Sequence, residues 1–178
     1  MAMTTTLTEQ QLPTGTWLLD TTHSSVTYAV RHSGVSLFKG ALTDFDASLV
    51  DGELRGSADV GSITVQDENL QGHLLSPEFF DAERHPRVSF ESGDIRREGD
   101  GIVVDGELEL RGVKQPVTLT GSVAGPVTTP VGAKLGIHLE TVIDRTSFGM
   151  SWNMELPSGG FVLENEVTLT ADLELVKA

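Results

Sequence analysis

Histidine is the side chain best placed to move a proton or bind a metal at neutral pH, and the chain has five: His23, His32, His73, His85 and His138. None has HExxH, HxH or HxxxH spacing, so any metal or acid–base centre must be assembled by folding. His23, His32 and His73 fall near element ends and are the ones that could converge. There is no cysteine, which removes thiolate nucleophiles, zinc–thiolate sites and disulfides. No GxSxG elbow is present, and a Ser-His-Asp triad would need distant residues. Glu107 and Glu109 alternate with Leu108 and Leu110, so they read as the wet face of a strand; Glu164, Glu166 and Glu174 read the same way. No glycine-rich phosphate loop occurs. We therefore expect no catalytic and no metal-binding residues. Asp144-Arg145, just before "TSFGM", is expected to brace a turn through an ion pair or hydrogen bond; contact with a polar head group is the alternative.

His73 belongs to a stretch that breaks the pattern around it, "DENLQGHLLSPEFFDAERHPRVSF", Asp67 to Phe90. Asp67 is a good N-cap. Beyond it Leu70, His73, Leu74 and Pro77 fall within one helical face. Ser76-Pro77 ends that helix or restarts another. A second short turn then presents Phe79 and Phe80, and Pro86 restores extended chain. The spacing predicts a short helical cover over residues 67–85 with one apolar face. His73 on that face is a packed histidine, a contact for a ligand head group or a metal ligand.

The rest of the chain alternates, as strands do. "SSVTYAVRH" puts Val26, Tyr28, Val30 and His32 on one side. "SLFKGALTDFDASLV" carries Leu42 and Phe45, and its Gly40 marks a bulge or a close backbone approach. "LRGSADVGSITV" is a third strand and "RVSFESGDI", with Val88 and Phe90, a fourth. "GIVVDGELELRG" (Leu108, Leu110) and "QPVTLTGSVAG" (Val117, Leu119) are joined by a short hairpin at "RGVK". "AKLGIHLETVID" (Ile137, Leu139) and "LENEVTLTADLELV" (Val167, Leu169) complete eight one-sided strands. The fold class is all-β: an eight-stranded antiparallel barrel or a sandwich. A closed barrel of this size has just enough interior for a small ligand. Residues 1–14 read as a flexible arm and 15–178 as one domain.

Composition narrows the partners. At net charge -14 the chain repels phosphate backbones, so no nucleic acid is expected. No run of 18 apolar residues exists, so no stable membrane insertion is expected. The start, "MAMTTTLTEQQLPTG", shows neither a basic nor an apolar segment of a signal peptide; the expectation is a soluble cytoplasmic protein.

The segments also carry a resemblance. "ITVQDENLQGHLLSPEFFDAERHPRVSF", "LDTTHSSVTYAVRH", "FKGALTDFDASL", "GELELRGVKQPVTL" and "IDRTSFGM" together closely resemble the YceI-like family, from about Trp17 to the C-terminus. Four departures stand out. Ser147 replaces a usual Asp, Ala47 a common Gly, and His85 the usual Tyr before Pro86; "GVKQPV" alters the usual hairpin order. The resemblance implies a lipocalin-like up-and-down barrel with a helical cover. It also implies a polyisoprenoid chain in the apolar interior and a possible homodimer.

The combined reading is a lipid-binding protein with no cofactor other than a bound isoprenoid or similar long-chain lipid. The expected contacts are Val26, Tyr28, Val30, Leu42, Phe45, Phe90, Leu108, Leu119, Ile137 and Leu169 in the wall, with Leu70, His73, Leu74, Phe79 and Phe80 in the cover. Two alternatives stay open. One is an enzyme acting on a lipid in the same cavity, with His73, Tyr28 or Asp144 as the reactive group. The other is a non-catalytic stress-related module whose barrel is filled by side chains.

Overall fold

Paired positive-φ residues fold the alternating stretches back on themselves. Asp51-Gly52 and Arg111-Gly112 both have φ above zero at each residue, the requirement of the two-residue hairpin turn whose twist matches its strands. The computed structural model describes residues 12–178, in ten strands and one helix. The strands are β1 (Thr16–Leu19), β2 (Ser25–His32), β3 (Ser36–Leu42), β4 (Phe45–Val50) and β5 (Glu53–Asp59), then β6 (Arg87–Glu98), β7 (Gly101–Leu110), β8 (Val113–Thr129), β9 (Gly132–Asp144) and β10 (Leu163–Lys177). Helix α1 (Glu68–Leu75) lies between β5 and β6.

Eight of the strands close an antiparallel ring in the order β1-β4-β5-β6-β7-β8-β9-β10, with β10 returning to β1. Strand β10 divides its pairing. Leu175–Lys177 bond to β1, while Leu163–Asp172 bond to β2, which continues into β3. At this upper level the far edge of β3 meets no strand among the described residues. It is joined to the segment after β5 by the Leu42–Ile63 bridge and by bonds between Ala41 and Thr64.

Two stretches expected as single strands are broken. Ser36–Val50 divides at Thr43-Asp44 into β3 and β4, which lie in different parts of the wall. The third strand stops at Asp59, whose carboxylate accepts from the Gly61 amide at 2.8 Å and caps a 3-10 turn at Val60–Ser62. A short acceptor side chain here offers the backbone a partner other than the ladder. The alternation in "GSITV" had masked that stop.

The lower half of the ring is solid. Trp17, Leu49, Ile102, Val104, Leu135 and Leu175 pack together with 2% or less exposure each, so each contributes roughly 1.5–3 kcal/mol of burial. Leu12 joins this floor, and the Trp17 indole donates to the Thr14 carbonyl at 3.1 Å. The expected arm is thus anchored at its last residues; residues 1–11 of it lie outside the described residues. Among the described residues no helix is long and apolar enough to cross a membrane.

Candidate functional site: an apolar cavity under a helical cover

Above the floor the interior is open. A cavity of about 980 Å³ runs from Ala47, Leu54, Leu119 and Leu173 at its base to the cover and the β2–β3 hairpin at its mouth. The alternation that builds the strands also builds its wall. Val26, Tyr28 and Val30 face in from β2; Leu42 from β3 and Phe45 from β4; Phe90 from β6; Leu108 from β7, Leu119 from β8 and Leu169 from β10. Leu70, His73, Leu74, Phe79 and Phe80 line it from the cover. Ile137 does not. It is 2% exposed in the packed floor, below the cavity's end. Its parity was read correctly, but strand parity carries no information about height along the barrel. The barrel is therefore not filled by side chains throughout.

The cover forms for local reasons. Asp67 caps α1 by accepting from the Leu70 amide at 2.9 Å. After α1 a series of turns bonds back on itself: the Phe80 amide to the Leu74 carbonyl at 2.9 Å, and the Ala82 amide to that of Leu75 at 3.0 Å. Phe79 is buried and packs into its surroundings, while Leu70 remains partly exposed at the mouth. The Arg111 guanidinium, from the β7–β8 turn, donates to the Pro77 carbonyl at 2.7 Å and ties the cover to the ring.

His73 is a packed histidine with a partner. Its Nε2 lies 2.6 Å from Glu78 Oε2. Its ring meets Phe79 and Trp152 edge-on, at centroid separations of 4.9 and 4.7 Å. His23, His32 and His73, the three that could have converged, lie apart. His23 pairs with Asp20 and Glu174 at 2.8 and 3.2 Å on the outer corner where β10 changes partners. His138 pairs with Asp172 at 2.6 Å on an exposed face, and His32 meets Ser33 at 3.3 Å. Asp20, His23 and Glu174 do form a group of three potential metal donors. Lys134 Nζ already sits within 3.8 Å of both carboxylates, and the group lies outside the cavity lining. Asp20 holds its carboxyl below the usual range chiefly through the His23 hydrogen bond, which in turn raises the imidazole.

Asp144 and Arg145 have separate tasks. Asp144 accepts from the Thr146 hydroxyl at 2.6 Å and its amide at 2.9 Å, capping a 3-10 turn and lowering its own pKa. Arg145 is 2% exposed. Its guanidinium donates to the carbonyls of Met150, Trp152, Leu163 and Glu164 and to the Asn165 side chain. Burial pushes its pKa down. It forms no ion pair with Asp144; it is the post that ties the loop after the 3-10 turn, at Met150 and Trp152, to the first residues of β10.

That loop supplies wall residues the sequence reading passed over. Met150, Trp152 and Val162 line the cavity, as do Ile63 and Val65 from the segment after β5. The signal was present: Phe148, Met150 and Trp152 alternate with Gly149 and Ser151. It was overlooked because the stretch joins no ladder. The Tyr28 phenol, half-buried in the wall, is pushed up to about 12 by desolvation.

A closed antiparallel barrel with a solid floor, an apolar chamber and a helical cover defines a class: small barrels that enclose a ligand space. Within it the assignment is specific. Residues 17–175 match the YceI-like domain family, and the chain belongs to that family. It is 30% identical over 140 residues to Protein YceI of Salmonella arizonae, which covers 74% of this chain and 73% of that one. Two solved structures are similar in fold. BcnA of Burkholderia cenocepacia has a TM-score of 0.71 at 19% identity, covering 88% of this chain and 98% of its own. A polyisoprenoid binding domain from Saccharophagus degradans has a TM-score of 0.69 at 12% identity, covering 91% and 98%.

Proposed function

We propose that this protein holds a long isoprenoid chain, of the polyprenyl or quinone-tail type, in the upper chamber for storage, transport or protection. The observation that carries this reading is the division of the barrel into a packed floor and a predominantly apolar chamber of about 980 Å³ open at one end. That size is at the top of the range for ligand sites. The drive is burial, about 0.8 kcal/mol for each methylene removed from water. A chain of ten or more carbons retains useful affinity after ordering costs. Wall shape then sets preference for a branched chain. The binding of polyisoprenoid by the Saccharophagus relative supports the same choice.

Native mass spectrometry of protein from its own host tests it. The expected result is a copurifying adduct that extraction identifies as a prenyl lipid. Repeated extraction without lipid, together with failure to take up a polyprenyl alcohol from micelles, would sink the proposal.

A further inference from the structure

Five of the ten exposed large apolar side chains among the described residues gather at the cavity's open end: Val35, Leu37, Leu70, Met154 and Phe161. Three of them sit on segments bonded to one another. The Ser33 amide, beside Val35 at the β2–β3 tip, donates to the Val162 carbonyl at 2.7 Å. The Val162 amide donates to the Met154 carbonyl at 2.9 Å, and Phe161 bridges to Glu155. These backbone bonds join the segments that carry Val35, Met154 and Phe161, whose side chains are 82%, 57% and 56% exposed. Leu37 and Leu70 continue the apolar rim into the cavity lining.

Charge at this end also departs from the rest. The chain has 26 Asp and Glu, yet residues 24–43, which form the β2–β3 hairpin, contain none and carry Arg31 and Lys39. Glu164 and Glu166 lie on β10, the strand paired with β2, Glu155 lies on the loop before it, and Asp67 and Glu68 lie at the start of the cover. The cations of the mouth are therefore on the hairpin and the carboxylates on the elements around it. Apolar tips flanked by cations suit the boundary between lipid headgroups and acyl chains: the tips enter, and the cations meet phosphates. A net charge of -14 on the whole chain opposes a lasting hold on strongly anionic membranes. A brief dock on a zwitterionic surface fits both facts.

We infer that the mouth docks on a phospholipid bilayer, inserting Val35, Met154 and Phe161 so that the isoprenoid passes between membrane and cavity without crossing water. This rests on the isoprenoid-carrier reading. A protein partner on the same rim is the competing occupant. The rim's direct continuity with the cavity lining, and its hairpin free of carboxylates, favour the bilayer.

Uptake of a long-tailed quinone from phosphatidylcholine vesicles can be followed by quenching of tryptophan emission, since Trp152 of the two tryptophans lines the cavity. A V35D/F161D variant, with R31E as a second, leaves the lining intact; urea midpoints confirm folding. The expected result is at least tenfold slower uptake from vesicles, with less than a twofold change in affinity for quinone supplied in micelles. Uptake rates within twofold of the parent overturn the inference. So does uptake that requires an added protein fraction. If the parent takes up no quinone even from micelles, the carrier reading fails instead. Flotation of the ligand-free protein with vesicles then decides docking alone: binding by the parent and loss in V35D/F161D supports it, and no binding by the parent overturns it.

Discussion

The Tyr28 phenol lies over Gly40, its partner across the β2–β3 ladder, where any Cβ would overlap the hydroxyl. From there the hydroxyl donates to the Thr64 carbonyl at 3.3 Å, beyond the far edge of β3. One aromatic ring therefore spans the gap between a strand and the segment that stands in for its missing neighbour. An aromatic laid over a cross-strand glycine covers exposed backbone. The approach is close enough that any larger residue at position 40 must displace the phenol and crowd the Thr64 carbonyl.

Gly40→Ala is expected to cost about 1–3 kcal/mol, the usual range for overpacking. Urea unfolding measures it. In a Tyr28→Ala background the cost should fall, because the phenol is the nearest obstacle, though not to zero, since the Thr64 carbonyl oxygen lies 2.8 Å from the same Cβ position. An equal cost in both backgrounds contradicts this account.

Tyr28 is the chain's one tyrosine, so its ionisation can be read alone from absorbance near 295 nm. Burial raises its pKa to about 12. The folded protein should show little tyrosinate at pH 10.5, whereas the unfolded chain should be more than half ionised, given an ordinary pKa of about 10. A folded pKa above the unfolded one means this contribution to stability is complete below pH 10. It declines as pH rises toward 12. A bound chain against the phenol should delay ionisation further.

Arg145→Lys should destabilise by about 2–3 kcal/mol. An ammonium has three donors where the loop and the first residues of β10 present five acceptors, and buried carbonyls left without partners are costly. Denaturant midpoints give the magnitude. Tryptophan emission should shift to the red in the same variant, because Trp152 loses its post while Trp17 stays buried in the floor. An unchanged spectrum would show that the loop is held by something else.

Phe79 and Leu74, both in the cover, differ in burial. Phe79→Asp places a carboxylate at a position 5% exposed and is expected to unfold much of the protein. Leu74→Asp alters a half-buried cavity-facing position. It should weaken retention of a prenyl lipid at least tenfold while far-UV circular dichroism stays within error. Loss of fold in Leu74→Asp would mean the helix belongs to the core and cannot act as a cover.

Strand identity and inward parity were legible because they depend on a period of two, visible in runs such as Val167, Leu169, Ala171 and Leu173. The capped helix was legible because Asp67 and the Leu70–Leu74 spacing are local. Height along the barrel was not, which is why Ile137 was placed in the wall and lies in the floor. Neither was the role of Arg145, since its partners are backbone carbonyls that any sequence would supply. Trp152 was missed for a related reason: extended chain outside a ladder carries the same alternation without the flanking turns that identify a strand.

The divided pairing of β10 makes the wall unequal around its circumference. Below, the hydrogen-bonded hoop is unbroken, and its girth can change only by rupturing a ladder. Above, the circle has a seam between β3 and the segment from Val60 to Asp67, fastened by a few bonds and the Tyr28 phenol. The upper circumference can therefore widen by parting that fastening while every strand pair stays intact, whereas the hoop beneath fixes the girth of the floor.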